Sequence, residues 1–192
     1  TLAPAIEIFS VDKYLKQDGR VSDDLPFASR GGLAVRHTFP VDGEYVAKIH
    51  LSRTYDGRTR GLASQHTLEV RLDGTLIEAL TTGAPRLDNG KPRRPDYRNS
   101  PDDGQEVRFT AGAGPHLLAV SFVNQASVLE GMRRPHYAVT SYEYAGDQTV
   151  DPGVGRVELR GPYNVTGRGD TPSRRTIFSC RPPVDAVASG SD

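Results

Sequence analysis

The chain has 192 residues, with 24 Lys+Arg against 24 Asp+Glu and so a formal net charge of zero. That length supports one domain with a full-sized core, and the balanced charge speaks against a nucleic-acid or anionic-membrane binder, which carries a basic excess. No apolar run reaches the roughly 18–20 residues of a membrane span, and 20 Gly with 14 Pro make a turn-rich rather than a disordered composition.

Cys180 is the one cysteine, so it forms no disulfide within the chain, and Cys-based zinc sites and covalent haem attachment are excluded. The sequence begins Thr1-Leu2-Ala3-Pro4, without an initiator Met or a signal-peptide pattern, as a mature protein or an excised domain does.

Residues 1–32 read as an N-terminal segment packed on the main domain. Within it, Ser10 to Lys16 has the pattern of a short helix capped by Ser10 and closed by Asp18-Gly19. Arg30-Gly31-Gly32 follows, a glycine pair that permits close approach or positive φ. The apolar period then becomes two. Leu33, Val35, His37 and Phe39 alternate with Ala34, Arg36 and Thr38, Pro40 to Gly43 turn, and Tyr45, Ala47, Ile49 and Leu51 alternate again.

Leu68, Val70 and Leu72 lead to Asp73-Gly74 and a further run to Leu80, a strong hairpin signal. Val107 and Phe109 predict a short strand, Ala111 to Gly114 a turn, and Leu118, Val120 and Phe122 a buried strand face. One or two helical turns are expected within 126–133, and strands over Tyr137–Tyr144 and Val154–Leu159. About eight antiparallel strands with long loops and at most short helices give an all-β fold, a β-sandwich of jelly-roll type over 33–160. Gly161 to Phe178 holds Gly161, Pro162, Asn164, Gly167, Gly169, Asp170 and Pro172, so 161–192 reads as a strap or linker towards a following domain.

Two connections, 52–66 and 81–105, exceed what connectivity requires, and loops of that length are commonly functional or mobile. Their aromatics are Tyr55 and Tyr97. An exposed Tyr beside carboxylates and guanidinium groups suits sugar recognition, with ring-face contact and hydrogen bonds to hydroxyls. The candidate ligand contacts are therefore Tyr55, Asp56, Arg58, Tyr97, Asp102 and Asp103.

Hard cations take oxygen ligands from acidic loops. The clusters available are Asp23/Asp24, Asp56, Asp102/Asp103 and Asp147/Asp151, with Asp102 and Asp103 the preferred calcium candidates. None of the five histidines has metal-ligand spacing, and His37 and His50 read as hydrogen-bonded structural residues within strands. No nucleophile elbow or phosphate loop is present. Arg168-Gly169-Asp170 reads as a turn, and Asn164-Val165-Thr166 is a glycosylation acceptor pattern where the host glycosylates.

Three segments carry a resemblance. They are Asp24-Leu25-Pro26-Phe27-Ala28-Ser29-Arg30-Gly31-Gly32 with its continuation to Tyr45, Leu68-Glu69-Val70-Arg71-Leu72-Asp73-Gly74, and Gly161-Pro162-Tyr163-Asn164 with Gly169 to Arg175 and Cys180-Arg181-Pro182. Together they resemble one region of large exported planctomycete-type multidomain proteins that carry c-type cytochrome modules, and that region is similar to calcium-dependent, xylan-binding-type carbohydrate-binding modules. The resemblance implies a jelly roll, a polysaccharide partner, neighbouring domains in the same parent protein, location in the periplasm or at the cell surface, no haem in this chain, and a partner for Cys180 outside it. Gln125 and Met132 stand where that pattern has acidic calcium ligands. A neutral amide is a weaker calcium ligand than a carboxylate, and a thioether is not one.

The expected function is a non-catalytic carbohydrate-binding module. A structural or interdomain interaction domain is the alternative. A polysaccharide-cleaving enzyme comes third, since it needs two carboxylates suitably spaced in a cleft.

Overall fold

A computed structural model of the chain describes residues 3–53, 59, 61, 65–83, 105–123, 152–167 and 176. Eight strands form: β1 Ala5–Ser10, β2 Ser29–Phe39, β3 Asp42–Leu51, β4 His66–Leu72, β5 Thr75–Thr82, β6 Glu106–Ala111, β7 Gly114–Val123 and β8 Val154–Gly167. They make two four-stranded sheets with orders β1-β8-β3-β6 and β2-β7-β4-β5, and every pairing is antiparallel. This is the strand order of an eight-stranded jelly roll, in which successive strands alternate between sheets except at the central hairpin.

The period-two alternation fills the space between the sheets. Tyr45, Ala47, Ile49 and Leu51 of β3, Val107 and Phe109 of β6, and Val157 and Leu159 of β8 face Leu68 and Val70 of β4 and Leu118, Val120 and Phe122 of β7. Phe39 at the end of β2 is fully buried, with edge contacts to Tyr45, Phe109, His37 and His116. Edge-to-face rings satisfy their quadrupoles while filling volume. Asp73 and Gly74 both have positive φ, the conformation demanded of a tight hairpin between right-twisted strands. The short turns at Pro40-Val41 and Gly112-Ala113 instead carry the chain across from one sheet to the other.

Two local expectations are corrected. Residues 10–16 form no helix. Ser10 ends β1 opposite Arg156, and the amide of Val11 donates to the carbonyl of Gly155 at 2.9 Å. Pairing with β8 therefore consumes the would-be cap, a case of tertiary context overriding local propensity. Beyond it, Asp12 Oδ1 accepts from the Tyr14 amide at 2.8 Å and its carbonyl accepts from Leu15, closing a turn.

The stretch beginning at Gly161 is strand as far as Gly167 rather than loop. Its register against β3 shifts between Val46 and Glu44 and again between Glu44 and Asp42, so the Gly161-Pro162 pair and Asn164, with φ 43°, are taken up as bulges. Pro162 lies past Gly161, the last β8 residue paired with β1, where the missing N–H costs no ladder bond on that side. The expected helical turns in 126–133, the strand over Tyr137–Tyr144, and Cys180 lie outside the described residues.

Candidate functional site

Strand direction places the long connections together. Because all pairings are antiparallel, odd strands end and even strands begin at one end of the sandwich. Leu51 pairs with Val154, Ser10 with Arg156, Ser29 with Val123, and His66 with Thr82. Residues 11–28, 52–65, 83–105 and 124–153 all bridge strands at that end. At the opposite end the strands are joined by the short turns Pro40-Val41, Asp73-Gly74 and Gly112-Ala113.

Gln17 fixes the base of this end. Its Nε2 donates to the Val154 carbonyl at 2.8 Å and to Ser52 Oγ at 3.3 Å, while Oε1 accepts from the amides of Gly32 and Val154, each at 2.9 Å. Both donors and both acceptor sites of the amide are thus used, and one side chain ties β2 of one sheet to β8 and the end of β3 of the other. Glycine is required around it. A Cβ on Gly31 or Gly153 would strike the Gln17 side chain, and one on Gly32, with φ 107°, would collide with the Val120 carbonyl oxygen.

Next to it the buried Arg30 donates from Nη1 to the carbonyls of Pro152 at 2.7 Å and Gln17 at 3.2 Å, and its guanidinium lies 5.0 Å from the Phe122 ring centre. Carbonyl dipoles and a ring face offset the desolvation of that charge. The Arg30-Gly31-Gly32 run is therefore the footing of the long connections.

Described roots of the two expected binding loops stand on this base. Ser52 donates through its amide to the Gly153 carbonyl at 2.7 Å, Ile49 to that of Gln105 at 2.8 Å, and Arg53 bridges Thr59. Tyr55, Asp56, Arg58, Tyr97, Asp102 and Asp103 themselves lie outside the described residues, as do Asp147, Asp151, Gln125 and Met132. Asp23 and Asp24, offered as a calcium pair, instead face guanidinium groups: Asp23 Oδ1 is 3.3 Å from Arg20 and Asp24 Oδ1 is 2.6 Å from Arg36. Among the described residues no group of three or more His, Cys, Asp or Glu side chains is placed to hold a metal.

The strand histidines have structural partners. His50 Nε2 lies 2.9 Å from Glu158 Oε1, and His37 sits between the rings of Phe9 and Phe39 with Nδ1 3.6 Å from Glu7. His116 meets Asp73 at 2.6 Å, and the Asp73 carboxyl is held low first by the Leu117 amide it accepts from and then by His116. Glu7, His37, Pro40, Tyr45 and Pro162 line a side cleft of about 70 Å³, room for a few waters rather than a sugar ring.

The outer face of the β1-β8-β3-β6 sheet is a lattice of alternating charge. Glu158 is contacted by Arg160 at 2.8 Å, Arg156 at 3.2 Å and His50, and Arg160 first among them holds its carboxyl low. Arg108 donates to Glu44, which also accepts from Asn164 at 2.7 Å, so the acceptor asparagine of the glycosylation pattern is already engaged. Val46, paired with both Arg160 and Arg108, is buried within this sheet.

Sequence reasoning passed over two residues that matter here. Gln17 had no signal, because its side-chain partners, Gly32, Ser52 and Val154, come from three separate places in the chain. Phe27 stands in the first long connection as an 80% exposed ring with the Arg20 guanidinium 4.7 Å from its centre. Its signal was present, an aromatic beside Pro in a long polar connection.

No protein-family model matches the chain, and no curated protein does. Among solved structures, it is similar to a family 35 carbohydrate-binding module from Clostridium thermocellum, at 10% identity over 82% of this chain and 98% of that one with a TM-score of 0.36. It is also similar to a β-glucosidase from Paenibacillus barengoltzii, at 14% identity over 68% of this chain with a TM-score of 0.33. This chain spans 10% of the glucosidase's length. At these scores neither likeness bears on function.

Proposed function

We propose that the chain is a non-catalytic carbohydrate-binding module of a larger exported protein, taking plant- or algal-type polysaccharide. The observation that carries this reading is the gathering of all four long connections at one end of a jelly roll, above a base immobilised by Gln17 and Arg30. Binding residues are commonly carried on loops that a rigid scaffold positions. Tyr55 and Tyr97 would supply ring faces, and Asp56, Arg58, Asp102 and Asp103 would supply hydrogen bonds to hydroxyls. The motif resemblance to calcium-dependent, xylan-binding-type modules supports the same reading. Calcium, if used, would be held by Asp102 and Asp103, with Gln125 a weaker ligand than a carboxylate and Met132 supplying none.

Affinity electrophoresis in gels containing xylan, galactomannan, laminarin or alginate, run with calcium and with chelator, tests the proposal. Retardation by at least one polysaccharide is expected. Unchanged mobility in all gels under both conditions overturns it, and retardation that survives chelator removes calcium from the mechanism.

The second reading, an interdomain docking module, has its own observation: Ile6 and Ile8 are more than half exposed on the outer face of the edge strand β1. Under it, Ile6→Lys with Ile8→Lys would release a neighbouring domain of the parent protein and leave polysaccharide gels without effect.

A further inference from the structure

The connection between β1 and β2 presents an aromatic plate that belongs to neither expected binding loop. The chain around Phe27 is pinned on both sides. The Leu25 amide donates to Ser22, the Ser29 amide donates to Pro26, Leu25 is buried, and Ala28 takes φ 58°. Beneath the ring lies Arg20, whose side chain is only 16% exposed and is held 3.3 Å from Asp23. With Phe27 itself 80% exposed, the ring face turned away from Arg20 is open to solvent. An aromatic that is backed by a guanidinium and carried on a fixed turn is presented rigidly, so little side-chain freedom is lost when a ligand covers it.

The surroundings select the ligand. Asp23, 97% exposed, pairs with the same Arg20 that lies under the ring, and the Asp24–Arg36 pair adds a further carboxylate and guanidinium on the same connection and the strand it enters. A protein partner is recognised through contiguous apolar surface, whereas here one apolar plate stands on a connection that also carries hydrogen-bonding charge. A pyranose ring has the matching character, with C–H groups on its faces and hydroxyls around its rim. The plate also stands at the end of the sandwich that carries the other long connections.

We infer that Phe27 is a stacking platform for a sugar ring of the bound polysaccharide, with Arg20 as the residue that positions it. This rests on the carbohydrate-binding reading, and the test separates the two. Wild type, Phe27→Ala and Phe27→Trp are compared in affinity gels containing xylan, galactomannan, laminarin or alginate, with thermal unfolding recorded for each. Covering an aromatic side chain is a contribution that corresponds to about tenfold or more in affinity. Phe27→Ala should therefore bind at least tenfold more weakly at an unchanged Tm, while Phe27→Trp should hold or exceed wild-type affinity. Alanine binding within twofold of wild type, or equal losses in both variants, overturns the platform and leaves the module reading standing. Wild type that binds none of the four polysaccharides overturns both.

Discussion

Replacing Gln17 by Ala tests whether one side chain holds the long-connection end together. The substitution strips the partner from the amides of Gly32 and Val154 and from the Val154 carbonyl, at bond lengths of 2.8–2.9 Å. A buried polar group left unpaired costs about 1–3 kcal/mol. Gln17 is only part-buried, so water reaches some of these groups, and the net loss should be about 2–4 kcal/mol rather than the full sum. For a chain of this length that corresponds to a fall in Tm of roughly 5–15 °C. Urea unfolding followed by circular dichroism gives the magnitude, and amide hydrogen exchange gives the location. The Gly32 and Val154 amides should exchange faster relative to those in the middle of β3 and β7. A loss under 1 kcal/mol with unchanged exchange at both amides would refute the reasoning. Gln17→Glu sharpens the test, since its carboxylate still accepts from the two amides but faces the Val154 carbonyl without a donor. It should be less destabilised at low pH, where the acid carries a proton to donate.

Four further outcomes follow from the described structure. Gly74→Ala should cost about 1 kcal/mol, because φ is 80° but nothing lies within 4 Å of the added Cβ; Gly32→Ala combines unfavourable φ with a backbone collision and should lower the yield of folded protein sharply. Phe122→Ala should destabilise by about 3–5 kcal/mol in urea unfolding, since it opens a fully buried site and removes the ring beneath Arg30. The Glu158 carboxyl is held below its ordinary 4.5 by Arg160, with His50 and Arg156 adding to the effect. Its contribution is therefore present above that value and is lost as pH falls through the folded-state value. Glu158→Gln should lower stability at neutral pH and converge with wild type in acid; parallel curves across that range would contradict the assignment.

The fold was legible because its signals are local and repeated. Tyr45, Ala47, Ile49 and Leu51 declare a buried face by spacing alone, and Asp73-Gly74 declares a turn by φ. What the sequence concealed is long-range. Ser10 looked like the cap of a helix because the strand that claims it, β8, lies about 150 residues away, and Gly161-Pro162 looked like a loop because bulges do not announce themselves in composition. The site divides the same way. That 52–66 and 81–105 are long was visible, but that they share an end with 11–28 and 124–153 depends on strand direction, which only the pairing reveals. Phe27 went unweighed because exposure, not residue type, distinguishes a presented ring from a packed one.

The direction of β1 and β8 also decides how the domain hangs from anything attached to it. Ala5 pairs with Gly161, and Gly167 pairs with Asp42 beside the short Pro40-Val41 turn. The chain thus runs into its first strand and out of its last at the pole opposite the long connections. A tether joined at either place pulls on the tight-turn pole and leaves the far pole facing outward. A copy grafted on to a bead, a biosensor chip or an unrelated enzyme through those two strand ends should keep Phe27 and the long connections facing the surrounding medium.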